Sequence, residues 1–500
     1  MKRELRQRLS FEDAAFLNFE RPSMPMNIGS VGIYDSAIPL NLFVAHVDRR
    51  IDLQPRYRHR VVPAPLNLEH PAWMEDPDFN VGRHIAEAWL PPPGNEEQLQ
   101  RLAGQFFARP LKRDKPLWEM LLVQGLHGDR TAHLVKAHHC MADGVSGVGL
   151  LAALLDLEPR PPRERRRARD PAPPLPSSYE MLAQAWFDSV GRSLDAAEEL
   201  WDAMLNPARA ATRATRIARA LEKAAPYFLV PAQPAPWNGP LTSPNRMAWQ
   251  VLPFEEVRAV AHELGGTIND VVLTVIGGAL GRYLRAGGHK TEDVIMRAAA
   301  PVNVRREEES ADLGNRVSFM LVGLPVGQRD PVKRFRAIHQ EVSQLKAAQQ
   351  AAGVDEVGQL LKNAPPLLHF GLGSALTSPN LLTNLICTNV PGPLVPLYCM
   401  GHRMVAHYPW VPLGWRMQLS IAIMSYDRGL YFSVSGDERL KDEPCGLADA
   451  LSEEFSALRE MVLSPAAHIP DELRRAPAVN TGDQTIAGPS SPLVGAPATF

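Results

Sequence analysis

Two adjacent histidines, His138 and His139, are followed by Asp143 and Gly144 in the stretch KAHHCMADGVSG. Imidazoles can ligate a metal, and a neutral imidazole can take a proton from a hydroxyl near pH 7. The residues TAHLVKAHH alternate as a strand, with Val135, Ala137 and His139 on one face and Leu134, Lys136 and His138 on the other. Neighbours on a strand point apart, so the two rings are poorly placed to grip one ion together. Gly144 and Gly147 argue against a helix that would realign them. Ligands from elsewhere in the chain leave a metal site open. A structural reading also stands, in which Asp143 and Gly144 form a turn and Asp143 caps the helix VSGVGLLAALL. In the third reading His139, at the strand end, presents one basic nitrogen to a hydroxyl, and Asp143 shapes the loop through a cationic partner. A covalent serine mechanism is poorly supported: Ser146 has Val148 where a G-x-S-x-G elbow needs its second glycine.

These residues need elements to hold them. MNIGSVGIYD and TAHLVKAHH read as strands, and EEQLQRLAGQFFARPL as a helix, within a first unit at 1–157. Residues 158–178, EPRPPRERRRARDPAPPLPSS, are dense in proline and arginine and read as an exposed, extended linker. Connecting amphipathic helices follow at 179–235. One has an apolar face of Trp186, Val190, Leu194, Ala197, Trp201 and Met204. The next carries Arg209, Arg213, Arg216 and Lys223 as a basic stripe, suited to anionic lipid or a phosphorylated ligand, or simply to water. Strands VIMRAAAPVNV and LYFSVSGDERL and the helix TINDVVLTVIGGALGRYLRAG belong to a second unit at 236–465. Thr267 or Asn269 can cap that helix, and Gly287-Gly288 can stop it. The Pro/Ser/Gly/Ala-rich tail 466–500 reads as disordered.

Composition narrows the partners. Of 500 residues, 45% are hydrophobic and 22% charged, which is a globular balance, and a net charge of −2 gives no field for nucleic acid. Cys140, Cys387, Cys399 and Cys445 lack CxxC spacing, so reduced thiols are expected rather than a disulfide framework or zinc site. MKRELRQRLSFEDAAF has no secretory pattern, and no apolar run nears the ~18–20 residues of a membrane span. The expectation is a cytoplasmic protein that meets lipid only from the surface.

HHCMADG resembles the HHxxxDG motif of the bacterial wax ester synthase/diacylglycerol acyltransferase family, a branch of the chloramphenicol acetyltransferase-like fold. Other segments resemble the family in its order: LSFEDAAFLNFERPSMPMNIG; the PLW of Pro116, Leu117 and Trp118; the Asn269-Asp270 pair; PVNVR at 301–305, followed by Gly314-Asn315; CTNVPGP; and VPLGWRMQLSIAIMSYDRGLYFSVSGD. Together they cover about 1–155 and 235–465. Asn303 and Thr388 stand where serines are usual. The resemblance implies an α/β (α+β) chain of two similar αβ sandwiches with a substrate tunnel between them. His139 would be the general base, His138 a structural neighbour, and Asp143 and Gly144 the loop anchor and turn, with Arg305 as the ionic partner of Asp143. It implies acyl-CoA as co-substrate, diacylglycerol or a long-chain alcohol as acceptor, no resident cofactor or metal, and a peripheral membrane or lipid-droplet location. Asn269 and Asp270 would support the site. PLW reads as packing. The segment Thr388, Asn389, Pro391 and Gly392 reads as a rigid turn on the tunnel wall, its prolines fixing φ and its glycine permitting an unusual one.

Overall fold

The computed structural model describes residues 7–67, 69–141, 149–160, 172–177, 231–303, 317–352, 382–440 and 443–464, with parts of 179–215. Three sheets organise them. A small sheet places Gln7–Arg8 and His59–Val62 on either side of Ala72–Glu75. The first large sheet runs Tyr398–Cys399, His402–Trp410, Asn27–Tyr34, Arg130–His138, Trp118–Leu126, Ile85–Trp89. The second runs Val317–Pro325, Ile295–Asn303, Leu385–Val390, Leu419–Tyr426, Gly429–Gly436, Arg246–Pro253. Each large sheet has its own apolar core, and the small sheet adds Trp73 to that of the first. The expected strands at Asn27–Tyr34, Arg130–His138 and Ile295–Asn303 are present within a residue or two, whereas LYFSVSGDERL is strand only to Gly436 and then enters a 3-10 turn, Glu438–Leu440.

The sheets do not follow the division at 236–465. The strand His402–Trp410 crosses into the first large sheet and pairs antiparallel with Asn27–Tyr34, from Met404 opposite Tyr34 to Trp410 opposite Gly29. Its side chains bind the halves together. Trp410 stacks on Phe107 with ring centroids 4.6 Å apart, and Tyr408 stacks on Trp249 at 4.5 Å. From the second sheet, the Tyr426 hydroxyl donates to the Met404 carbonyl at 2.8 Å. The indole N–H of Trp249 donates to Glu96 on the helix Glu96–Phe107. That helix lies directly on the chain entering the second sheet, since a Cβ at Gly104 would stand 2.1 Å from the Asn245 carbonyl oxygen.

The helix Ile268–Ala286 is buried all round from Asp270 to Gly281. Thr267, not Asn269, is its N-cap. Its hydroxyl accepts from the N–H of Asp270, whose carboxylate accepts from the N–H of Thr267, closing a capping box. Gly287 ends the helix as expected. Among the described residues, no single helix is long and apolar enough to cross a membrane. The described parts of 179–215 include helical residues on which Trp186, Trp201 and Met204 are exposed. Val190, Leu194, Ala197, Arg213, Arg216 and Lys223 lie outside the described residues. The described part of 158–178 forms neither helix nor regular strand.

Candidate active site

The strand Arg130–His138 ends at the first histidine, and His139 opens a 3-10 turn, His139–Met141. Backbone bonds on both sides hold this junction. The N–H of His138 donates to the Leu117 carbonyl at 2.9 Å, and that of His139 to the Met26 carbonyl at 2.7 Å. Leu117 therefore meets the motif directly. Trp118 is fully buried, its indole donates to the Tyr57 carbonyl, and its ring stacks on His84. PLW is packing, and it is also the rail along which the histidine strand is pinned.

The two rings have different surroundings. His138 is buried, and its Nδ1 accepts the N–H of Cys140 at 3.1 Å. The neutral ring then carries its proton on Nε2, which lies 3.6 Å from a Glu20 carboxylate oxygen. Glu20 accepts from Arg113 at 2.9 Å and from the N–H of Met26 at 3.2 Å. His139 keeps partial exposure, while its Nδ1 is buried with no hydrogen-bond partner on any other described residue. Its ring lies face to face with Phe16, centroids 3.8 Å apart and planes 16° from parallel.

Burial lowers the His139 pKa to about 4, with its own backbone carbonyl pulling the other way. Burial lowers His138 to about 3, and Arg113 and His139 add to the shift. Both rings are neutral at pH 7. His139 is thus a base in the right protonation state, and its charged form is stable only with compensation. Among the described residues, no group of three or more His, Cys, Asp or Glu is placed to hold a metal ion.

The other expected site residues divide into three sets. Asp143, Gly144, Arg305 and the Gly314-Asn315 pair lie outside the described residues. Asn269 and Asn389 meet: the Asn389 amide points at the Asn269 side-chain oxygen across 3.5 Å, the long limit of a hydrogen bond. Asp270 turns inward instead, joining Thr267 and, at 2.9 Å, His339. The hydroxyl of Thr388 is buried with no hydrogen-bond partner among the described residues. Gly392 corrects an expectation. It is not among the positive-φ residues, so no unusual φ requires glycine there. A Cβ would stand 2.2 Å from the Ser425 carbonyl oxygen, and that close approach is what excludes a side chain.

Phe16, Glu20, Met26, Arg113 and His339 were not among the expected site residues. The available signal was Phe16 and Glu20 one helical turn apart, hence on one face. Which histidine that face would meet was not readable locally.

Two αβ units, the second lending its strand His402–Trp410 to the first large sheet, define the chloramphenicol acetyltransferase-like fold. The wax ester synthase/diacylglycerol acyltransferase catalytic domain matches residues 9–272, and the C-terminal domain of the same family matches 313–459. A relative from Mycobacterium tuberculosis (strain ATCC 25618 / H37Rv), named a probable diacylglycerol O-acyltransferase, is 31% identical over 436 residues, 85% of this chain and 90% of that one. Among solved structures, the wax ester synthase/diacylglycerol acyltransferase from Marinobacter aquaeolei VT8 superposes with a TM-score of 0.62 at 21% identity, covering 91% of this chain and 99% of its own. The first condensation domain of the calcium-dependent antibiotic synthetase shares the fold at a TM-score of 0.59 and 16% identity, covering 93% of this chain and 98% of its own. The chain belongs to the wax ester synthase/diacylglycerol acyltransferase family, and it is an acyltransferase.

Proposed function

We propose that the chain transfers a long-chain acyl group from acyl-CoA to a diacylglycerol, a long-chain alcohol, or both, without a resident cofactor. The observation that carries this reading is the neutral His139 ring, with Nδ1 buried and partial exposure left to the residue, in a chain of this family. Nε2 of His139 takes the acceptor's hydroxyl proton. The oxygen then bonds to the thioester carbonyl carbon, the carbon–sulfur bond breaks, and the imidazolium returns the proton to the departing sulfur. The products are an ester and CoA. General-base assistance of this kind contributes roughly 10²–10⁴ in rate. Substrates would enter a tunnel between the two αβ units from different sides, with Asp143 and Arg305 ordering the loop.

The deciding measurement is CoA release from palmitoyl-CoA with hexadecanol and, separately, with a diacylglycerol. The native chain should release CoA with at least one acceptor, and His139→Ala should not. Silence with both acceptors favours an acyltransferase for a different acceptor, or a lipid-binding member of the fold. Unchanged release from the variant removes His139 as the base.

Water-insoluble acceptors place the work at a surface, peripheral to the cytoplasmic membrane face or a lipid droplet. Exposed Trp186, Phe187 and Trp201, with exposed Arg209, support this. Flotation with anionic vesicles should succeed and weaken with salt if the basic stripe contributes. Salt-independent flotation would assign the contact to the aromatics, and absence of binding would remove the surface reading.

A further inference from the structure

We propose that Phe16 is a positioning residue for His139, holding the plane of the imidazole so that one nitrogen faces the acceptor hydroxyl; this rests on the acyl-transfer reading. The backbone of His139 is tied down through Met26, but a backbone bond leaves the ring free to rotate, and histidine χ2 is broad. In many sites the second ring nitrogen is fixed by a carboxylate or carbonyl. Among the described residues Nδ1 of His139 has neither a carboxylate nor another residue's carbonyl as a partner, and only its own backbone carbonyl acts on the ring. What lies against the ring is the phenyl face of Phe16, at 3.8 Å and 16°.

The helix Phe11–Phe19 that carries Phe16 is itself held from several directions. Ser10 caps its start by accepting from the N–H of Asp13. Arg113 donates to the Leu17 carbonyl and to Glu20, each at 2.9 Å. Glu20 in turn accepts from the N–H of Met26, the residue whose carbonyl receives the His139 N–H. The phenyl ring and the imidazole backbone are therefore referenced to one residue, Met26. A π face beside the ring also attracts the imidazolium formed during transfer, offsetting part of the burial that disfavours it.

Packing alone would predict that any apolar side chain of similar size serves. Phe16→Leu keeps apolar bulk and loses the flat face, while Phe16→Tyr keeps the face. The structure assigns Phe16→Leu a fall in kcat of about tenfold, the factor the upper end of an aromatic pair's worth supplies, with KM for both substrates within about twofold. Phe16→Tyr should restore most of the rate. The ring protons of His139, identified in selectively labelled protein by their loss in His139→Ala, should show an upfield ring-current shift. That shift should persist in Phe16→Tyr and vanish in Phe16→Leu.

Native kcat in Phe16→Leu overturns the proposal. So does a kcat loss with the ring-current shift intact, or a Phe16→Tyr chain as slow as Phe16→Leu. If Phe16→Leu shows no cooperative thermal unfolding, Phe16→Met takes its place under the same readings. A native chain that releases no CoA with either acceptor defeats the proposed acceptor class instead. The ring-current comparison still reads the stack in that case, so the two failures are told apart.

Discussion

The backbone N–H of Cys140 donates to Nδ1 of His138 at 3.1 Å, two residues back along the chain. This bond folds the turn at which His139 begins, and it settles which nitrogen of His138 carries the proton. His138 is thereby a hinge pin for its neighbour. His138→Ala removes the acceptor and leaves a buried N–H unpaired, at a cost of roughly 1–3 kcal/mol in stability. His138→Asn can place an oxygen near the Nδ1 position and should recover much of that loss and of the activity. Thermal unfolding and CoA release on the two variants check this. Equal damage in both would show that the ring itself, not its acceptor, matters.

An imidazole held at a pKa of about 4, the proposed base His139, is unprotonated far below pH 7. The acid limb of kcat/KM should therefore lie well below the ordinary histidine value near 6.5. Short assays from pH 5 to 8, with folding followed by circular dichroism, should give a nearly flat profile wherever the chain is folded. A limb centred near pH 6.5 in folded protein would contradict the burial of His139.

Stability should respond to acid more than activity does. Burial holds His84, His139 and His407 at about 4, and His133 and His138 at about 3. In the unfolded chain these rings titrate near 6.5. Between those limits the unfolded chain binds more protons, so unfolding is favoured as the pH falls. Their contribution is complete above about pH 6.5 and is lost toward pH 3–4. His133 and His407 both lie opposite Gly32, from the two neighbouring strands, and neither ring has a hydrogen-bond partner among the described residues. His407→Phe should move the acid-unfolding midpoint to lower pH with little loss at pH 7.5. An unmoved midpoint would show that other groups govern acid unfolding.

Gly392→Ala tests the close approach at the NVPGP turn. With the Ser425 carbonyl oxygen only 2.2 Å from the new Cβ, backbone must shift rather than a side-chain tip. Overpacking of this kind costs roughly 1–3 kcal/mol. A melting temperature equal to the native one would show that the turn can open without cost.

Asp270→Ala separates support from chemistry. It removes the capping-box carboxylate and the link to His339, so stability should fall by roughly 0.5–2 kcal/mol. The kcat of the folded variant should stay within a few-fold of native. A large kcat loss at native stability would move Asp270 into the catalytic machinery.

The alternating faces of TAHLVKAHH, the strand character of VIMRAAAPVNV, the Thr267 and Gly287 signals around a long apolar helix, and the ordered motifs were all legible in the sequence alone. They were legible because local sterics, capping and residue type write strands, helices and turns into neighbouring residues. On that basis Trp118 could be named as core, and His139 proposed as the base. The strand exchange could not be seen, because His402–Trp410 alternates like any strand and its partner lies more than 350 residues away in sequence. Nor could the stack of Phe16 on His139, the acceptance of the Cys140 N–H by His138, or the carbonyl that forbids a side chain at Gly392. The amino-acid sequence determined which elements form and which residue types could do the chemistry. Tertiary structure decided which surfaces meet, because contacts between distant segments are chosen by the packing of whole sheets and helices, and no local pattern encodes that choice.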